Sequence, residues 1–296
     1  DIREEKRIIE PIENQKRYDV TDVTGIADNI ILFQKANGGW AKNYDMLAIL
    51  TDNQKAAVEK SKNETNTTFD NGATFSQVDY LAKVYTITGE KKYIDACIAG
   101  LGFILKAQYS NGGWPQFYPD TSGYRKYITF NDGAMTGIMN TLFKIVDKGS
   151  HFLFLDETLY EQVSEAFNNG IDCILKCQIY DEGMLTAWCQ QHDNIDFSPQ
   201  NARTFEPAGI CNGESSEIVE MLMALENPDD KIIAAVQGAV KWFVQSQIKG
   251  IRVIDVKAPK TEFIYHTSSN DKEVVEDSEA PPIWTRFYEL GTHKPM

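Results

Sequence analysis

Residues 100–114 read GLGFILKAQYSNGGW. An amphipathic helix ends at Gln108, a glycine turn follows, and an aromatic residue closes the turn. The pattern returns in GIADNIILFQKANGGW at 25–40, GIDCILKCQIYDEGMLTAW at 170–188 and GAVKWFVQSQIKGIRV at 238–253. The terminal glutamines are Gln34, Gln108, Gln178 and Gln247, spaced by 74, 70 and 69 residues. Recurrence at a fixed period marks a repeat architecture, and seventy residues hold two helices with their connections. Partner helices are expected at 74–88, 133–147 and 214–225, where apolar residues recur at helical spacing. Asp156-Glu157 and Asp229-Asp230 are helix starts. The expected class is all-α, a ring of helical hairpins forming an α/α toroid. Long loops are expected at 51–67, 190–203 and 257–282, with one small β excursion at 250–266. No linker divides the chain, so residues 1–296 are expected to form one domain.

The chain has 296 residues and a formal net charge of −14. Its composition, 42% hydrophobic and 24% charged, supports a packed core. An acidic surface repels phosphate backbones and anionic bilayers, which argues against nucleic acid and membrane partners. No run of 18 apolar residues marks a membrane helix. Five cysteines, without paired-loop spacing, argue against a disulfide framework. Cys173 and Cys177 lie four apart on a helical pattern, as buried apolar residues do.

Thr68-Phe69-Asp70-Asn71-Gly72-Ala73-Thr74 and Thr129-Phe130-Asn131-Asp132-Gly133-Ala134-Met135 are near copies, each placed before a partner helix. Asp and Asn are preferred helix N-caps. They are also oxygen donors for a hard cation such as calcium. In a toroid both turns gather at one end, where Asp70, Asn71, Asn131 and Asp132 form half a cation site. Basic residues occupy neighbouring turns: Lys42 beside Trp40, Arg125 and Lys126 before the second copy, Arg203 in Asn201-Ala202-Arg203, and Arg286 after Trp284. Each is either a surface ion pair or a grip on an acidic ligand. Trp40, Trp114 and Trp188 suit either the core or a sugar ring. The four histidines have no metal-ligand spacing, and no serine-nucleophile elbow or phosphate loop is present.

NGGW at 37–40, TFDNGAT at 68–74, QYSNGGWPQFYP at 108–119, YITFNDGAM at 127–135, LTAWCQQHD at 185–193, NARTFE at 201–206 and WTRFYEL at 284–290 together resemble the family-10 pectate lyases. The resemblance runs from about residue 20 to the end. It implies an (α/α)3 toroid and calcium-dependent cleavage of polygalacturonate by β-elimination. It implies Asp70, Asn71 and Asp132 as calcium ligands, Arg286 as the catalytic base and Arg203 as a substrate ligand. Lys42, Arg125, Lys126 and Trp40 are expected to line the substrate groove. Two positions depart from the family pattern: Ala41 stands where proline is usual, and Phe205-Glu206-Pro207-Ala208 replaces Tyr-Glu-Leu-Pro. Family members extend beyond the last motif, so the C-terminal part of the family domain is expected to be missing after Met296. A monomer acting outside the cytoplasm is expected, whether secreted, periplasmic or at the cell surface. Two other readings fit the same residues. One is a glycoside hydrolase using Asp70 and Asp132; the other is a calcium-dependent pectate binder without catalysis.

Overall fold

In the computed structural model, which describes residues 8–10, 12–263 and 267–296, three of the four glutamines act as struts. Gln34 is the C-cap of α1 (Val23–Phe33), Gln108 that of α4 (Lys91–Ala107) and Gln178 that of α6 (Glu157–Cys177). Each side-chain amide donates twice. One bond closes the residue's own turn, to Gly38 O, Gly112 O or Thr186 O. The other crosses to the next long helix, at Ala96 O, Ala166 O or Ala235 O, with all six bonds between 2.8 and 2.9 Å. The tryptophan ending each motif points back inside. The Trp40, Trp114 and Trp188 indoles donate to Ile30 O, Ile104 O and Ile174 O, four residues before each glutamine.

The Asn-Gly-Gly turn has a steric cause. Gly38 and Gly112 have φ of +95° and +92°, and a Cβ there would lie 2.3 Å from Ala99 O and 2.0 Å from Asn169 O. Only glycine lets the turn press against the neighbouring helix. Asn37 and Asn111 accept from the backbone N–H two residues on, which fixes the turn.

The partner helices are α3 (Phe75–Thr88), α5 (Ala134–Val146) and α7 (Asn212–Met223), and α8 (Asp230–Gln245) completes the last hairpin. Helices α3, α5 and α7 pack side by side in one layer, and α1, α4, α6 and α8 in the other. The core between them runs from Ile26 to Tyr288. Asp156 and Asp229 cap α6 and α8 by accepting from Leu159 N and Ile232 N. The fourth repeat is degenerate. Helix α8 stops at Gln245, and Gln247 lies in the connection after it, just before the bridge between Ile248 and Ile283.

The hairpin succession of an α/α toroid is therefore present, but the all-α class is not. The described chain is 44% helical, and strands form four two-stranded sheets. Three are short ladders. β1 (Ile128–Thr129) pairs with β4 (Gln191–His192), β2 (Tyr180–Asp181) with β3 (Met184–Leu185), and β5 (Ile210–Cys211) with β8 (Phe287–Tyr288). The fourth is a long antiparallel hairpin, β6 (Ile251–Glu262) with β7 (Thr267–Glu276), in place of the small excursion and most of the loop expected at 257–282. Two-residue strands inside turn motifs leave no alternating pattern to read. The loop expected at 51–67 also contains a helix, α2 (Asp52–Lys60), started by a Thr51–Gln54 capping box. All five cysteines are free and buried. His266, one of the four histidines, lies outside the described residues. Among the described residues no helix is long and apolar enough to cross a membrane.

The struts make a prediction. Gln178→Ala removes the donor to the buried Thr186 carbonyl and the cross-repeat bond to Ala235 O, which keeps its helical partner, and is expected to lower the unfolding free energy by about 1 to 3 kcal/mol. Gln247→Ala is expected to cost less than about 0.5 kcal/mol, as for an ordinary surface change. Urea unfolding of both variants is the check, and equal losses would refute the strut role.

Candidate active site at the turn end

Each Asp/Asn turn hangs between two repeats. Thr68 N donates to Trp40 O and Phe69 N to Gln116 O; Thr129 N donates to Trp114 O and Phe130 N to Gln190 O. The second residue of each pair takes the left-handed conformation, Asn71 at φ 51°, ψ 38° and Asp132 at φ 51°, ψ 30°. Asn and Asp tolerate that region better than other side chains, which accounts for the residue types. None of the four side chains caps a helix. The capping reading falls, and their oxygens are left for other partners.

The two copies carry their charge in opposite order. The first position is buried in both, and holds Asp70 in one and Asn131 in the other. The second is exposed, and holds Asn71 and Asp132. Asp70 Oδ2 is paired with the Lys42 ammonium, whereas its Oδ1 is buried without a hydrogen-bond partner. The Asp132 carboxyl sits above the ordinary aspartate range. Burial on its inner side raises it first, then the adjacent Asp70 carboxylate, then Glu214, with Arg203 acting in the opposite direction. Two carboxyls in contact, one with an orphaned oxygen, are what a hard cation would relieve. The described side chains fit such an ion only in part. They supply Asp70, Asn71 and Asp132, and no group of three His, Cys, Asp or Glu converges as a full cage among the described residues.

Asn131 is the hub of the second turn. Its Oδ1 accepts from Gln190 Nε2 at 2.7 Å and from Arg286 Nη2 at 3.4 Å, and its Nδ2 donates to Asp132 Oδ2 at 2.8 Å. Gln190 also donates to Glu214 Oε1 at 2.7 Å. Arg286 is placed by the β5–β8 ladder, its carbonyl accepting from Asn212 N at the start of α7. The Asn201-Ala202-Arg203 motif folds into a compact turn. The buried Glu206 carboxylate accepts from Arg203 Nε at 2.9 Å and Nη2 at 2.5 Å. Burial alone would raise Glu206, but the Arg203 hydrogen bonds prevail and hold it below the usual carboxylate range.

Asp70, Asn71, Asp132, Lys42, Arg203 and Arg286 thus gather at one end of the fold. Arg125 lies to the side, hydrogen-bonded to Asp120 at 2.7 Å and stacked on Phe117 at 4.4 Å. Lys126 stays exposed beside Tyr127 and is not drawn into the cluster. Trp40 is a correction. It is fully buried, so it supports the turn from the core and meets no sugar; Trp114 and Trp188 are buried likewise. His192 is enclosed too, accepting from Cys189 N and facing Phe197 O, and its burial pushes it down to about 4.

Glu206, Gln190 and Glu214 escaped the sequence reading, yet two of them stood in register. Gln190 follows Trp188 by two residues, as Lys42 follows Trp40. Cys211 N donates to Trp188 O just as Thr68 and Thr129 donate to their tryptophans, which aligns Glu214 with Asn71 and Asp132.

Known proteins resemble this chain along most of its length. A family model described as pectic acid lyase matches residues 34–296. A mutant family 10 polysaccharide lyase from Cellvibrio cellulosa, solved in complex with trigalacturonic acid, is similar in structure. It has a TM-score of 0.77 and 30% identity, over 92% of this chain and 80% of that one. A second structure of a family 10 polysaccharide lyase from Cellvibrio cellulosa gives 0.75 and 30%, over 92% and 79%. No curated protein sequence matches.

The Arg203–Glu206 pair stabilises the fold above the ordinary glutamate range, near 4.5, and its contribution is lost as pH falls through the lowered value. Glu206→Gln is therefore expected to reduce the urea midpoint at pH 7, with the gap to the parent closing below about pH 4. A gap that stays constant across pH 3–7 would count against the pair.

Proposed function

Because this chain belongs to the pectic acid lyase family and is a pectate lyase, we infer that its paired Asp/Asn turns hold a calcium ion and that Arg286 and Arg203 carry the elimination on polygalacturonate. The observation that supports this most is the orphaned Asp70 Oδ1 beside Asp132. Asp70, Asn71 and Asp132 are the residues that would hold the ion, leaving the remaining coordination to water and substrate. When bound, calcium neutralises the carboxylate pair and draws charge from the uronate carboxyl, which acidifies the neighbouring C5–H.

This chain's own groups do the rest. Lys42, paired with Asp70, holds the inner carboxylate in place. Glu206 sets the plane of the Arg203 guanidinium, whose other N–H donors face an incoming carboxylate without reorganisation. Arg286 is the proposed base. Asn131 accepts from its Nη2, which orients the guanidinium. It takes the C5 proton as the bond to O4 breaks, leaving a C4–C5 double bond that absorbs in the ultraviolet. A hydrolase reading is disfavoured because the family model and the similar structures are lyases. One core from Ile26 to Tyr288 supports a single domain. A polymeric substrate supports action outside the cytoplasm.

Ultraviolet assays with and without chelator are the test. Arg286→Ala is expected to remove product formation by a factor of about 100 or more. Arg203→Ala is expected to act mainly on KM. The reverse pattern would move the base to Arg203, and chelator-insensitive turnover would overturn the calcium site. A separate prediction concerns stability. Asp132→Asn relieves the carboxylate pair at neutral pH, so it should raise the urea midpoint in chelator and abolish the stabilisation that calcium confers on the parent.

A further inference from the structure

Beside the Asp70 turn lies an open cleft of about 720 Å³ that none of the roles above uses. Small-ligand sites span roughly 300–1,000 Å³. Its walls are Lys42 and Phe117 on one side, and the end of α2 with the following segment, Lys60 to Asn66, on the other. Lys42 joins it to the reaction centre, since the same side chain that lines the cleft is paired with Asp70.

The charge in the cleft is opposite to that of the chain. Among the described residues, three cations line it, Lys42, Lys60 and Arg125, against two carboxylates, Glu64 and Asp120. Both carboxylates are already held, Glu64 by Lys35 at 3.1 Å and Asp120 by Arg125 at 2.7 Å. Lys60, exposed on the last turn of α2, has no ion pair among the described residues. Phe117 is buried, with the Arg125 guanidinium flat on its face at 4.4 Å and the Lys42 ammonium 5.7 Å from its centroid. It therefore offers no face to a sugar; it fixes two cations in orientation. Asn63 and Asn66 add exposed amides on the opposite wall. On a protein of charge −14, a preorganised basic cleft with amide donors suits an anionic, hydroxyl-rich ligand.

We propose that this cleft is a distal subsite for uronate residues of the same polysaccharide chain, beyond those at the reaction centre, with Lys60, Asn63 and Asn66 as its recognition residues. The inference rests on the function proposed above and adds a chain-length preference to it. A chain that crosses the Asp70–Asp132 centre and passes Lys42 enters the cleft, where its regularly spaced carboxylates meet Lys60 and Arg125. A short oligomer that occupies only the centre gains nothing from these contacts.

The test compares decagalacturonate with trigalacturonate. The readout is the ratio of the two kcat/KM values, in calcium, for the parent, Lys60→Ala, Lys60→Glu and the surface control Lys91→Ala. Lys60→Ala is expected to lower the ratio roughly twofold to fivefold, the scale of one exposed charge contact, through KM for the decamer. Lys60→Glu should lower it further, and Lys91→Ala should leave it as in the parent. An unchanged ratio in both Lys60 variants, or equal loss on both substrates, overturns the subsite. If the parent forms no ultraviolet product, the elimination reading fails by itself. Calorimetric binding of the decamer then decides the cleft: weaker binding by Lys60→Ala upholds it, and equal affinity overturns it.

Discussion

The amide group of a glutamine at the end of a helix is the interaction on which this architecture depends. Its two N–H bonds go to one carbonyl in its own turn and one in the next hairpin. A carbonyl buried in a turn must find a donor or destabilise the fold, and a mid-helix carbonyl keeps a second lone pair for a cross-repeat bond. By meeting that need across repeats, Gln34, Gln108 and Gln178 tie the closure of each turn to the spacing of its neighbours. The buried tryptophans complete the device from below, and the glycine turns let helices approach closely enough for the bonds to form. Where the strut is absent, after α8, the chain leaves the helical pattern and runs out into the β6–β7 hairpin.

The site inherits its precision from that frame. Backbone donors on each Asp/Asn turn reach the tryptophan carbonyl of one repeat and a glutamine carbonyl, Gln116 O or Gln190 O, of the next, which ties the turns together. Within them, near-identical backbone conformations carry Asp and Asn in reversed order. This places one carboxylate deep, beside Lys42, and the other at the rim, within reach of Arg203. Arg286 and Gln190 meet at the Asn131 amide between them. An acidic protein that handles a polyanion needs cations concentrated locally. The structure concentrates them in the turn-end cluster and in the cleft beside it.

How much of this was legible in the sequence varied with the range of the interaction. The period of about seventy residues and the helix starts at Asp156 and Asp229 were readable, because helical spacing and caps are local properties. The two-residue ladders were not, because pairing between Ile128–Thr129 and Gln191–His192 depends on residues more than sixty positions apart. The capping role of Asp70 and Asp132 was locally reasonable and wrong. The left-handed turns aim their side chains elsewhere.

The sequence by itself determined the residue types at the site, since an oxygen-rich turn, an arginine motif and a helix-ending glutamine are visible one segment at a time. Tertiary structure alone decided which of them act together. It sank Trp40 into the core, set Lys126 apart, and brought in Glu206, Gln190 and Glu214. The physical reason is that burial, ion pairing and an orphaned oxygen belong to the space between segments, and no single segment contains that space.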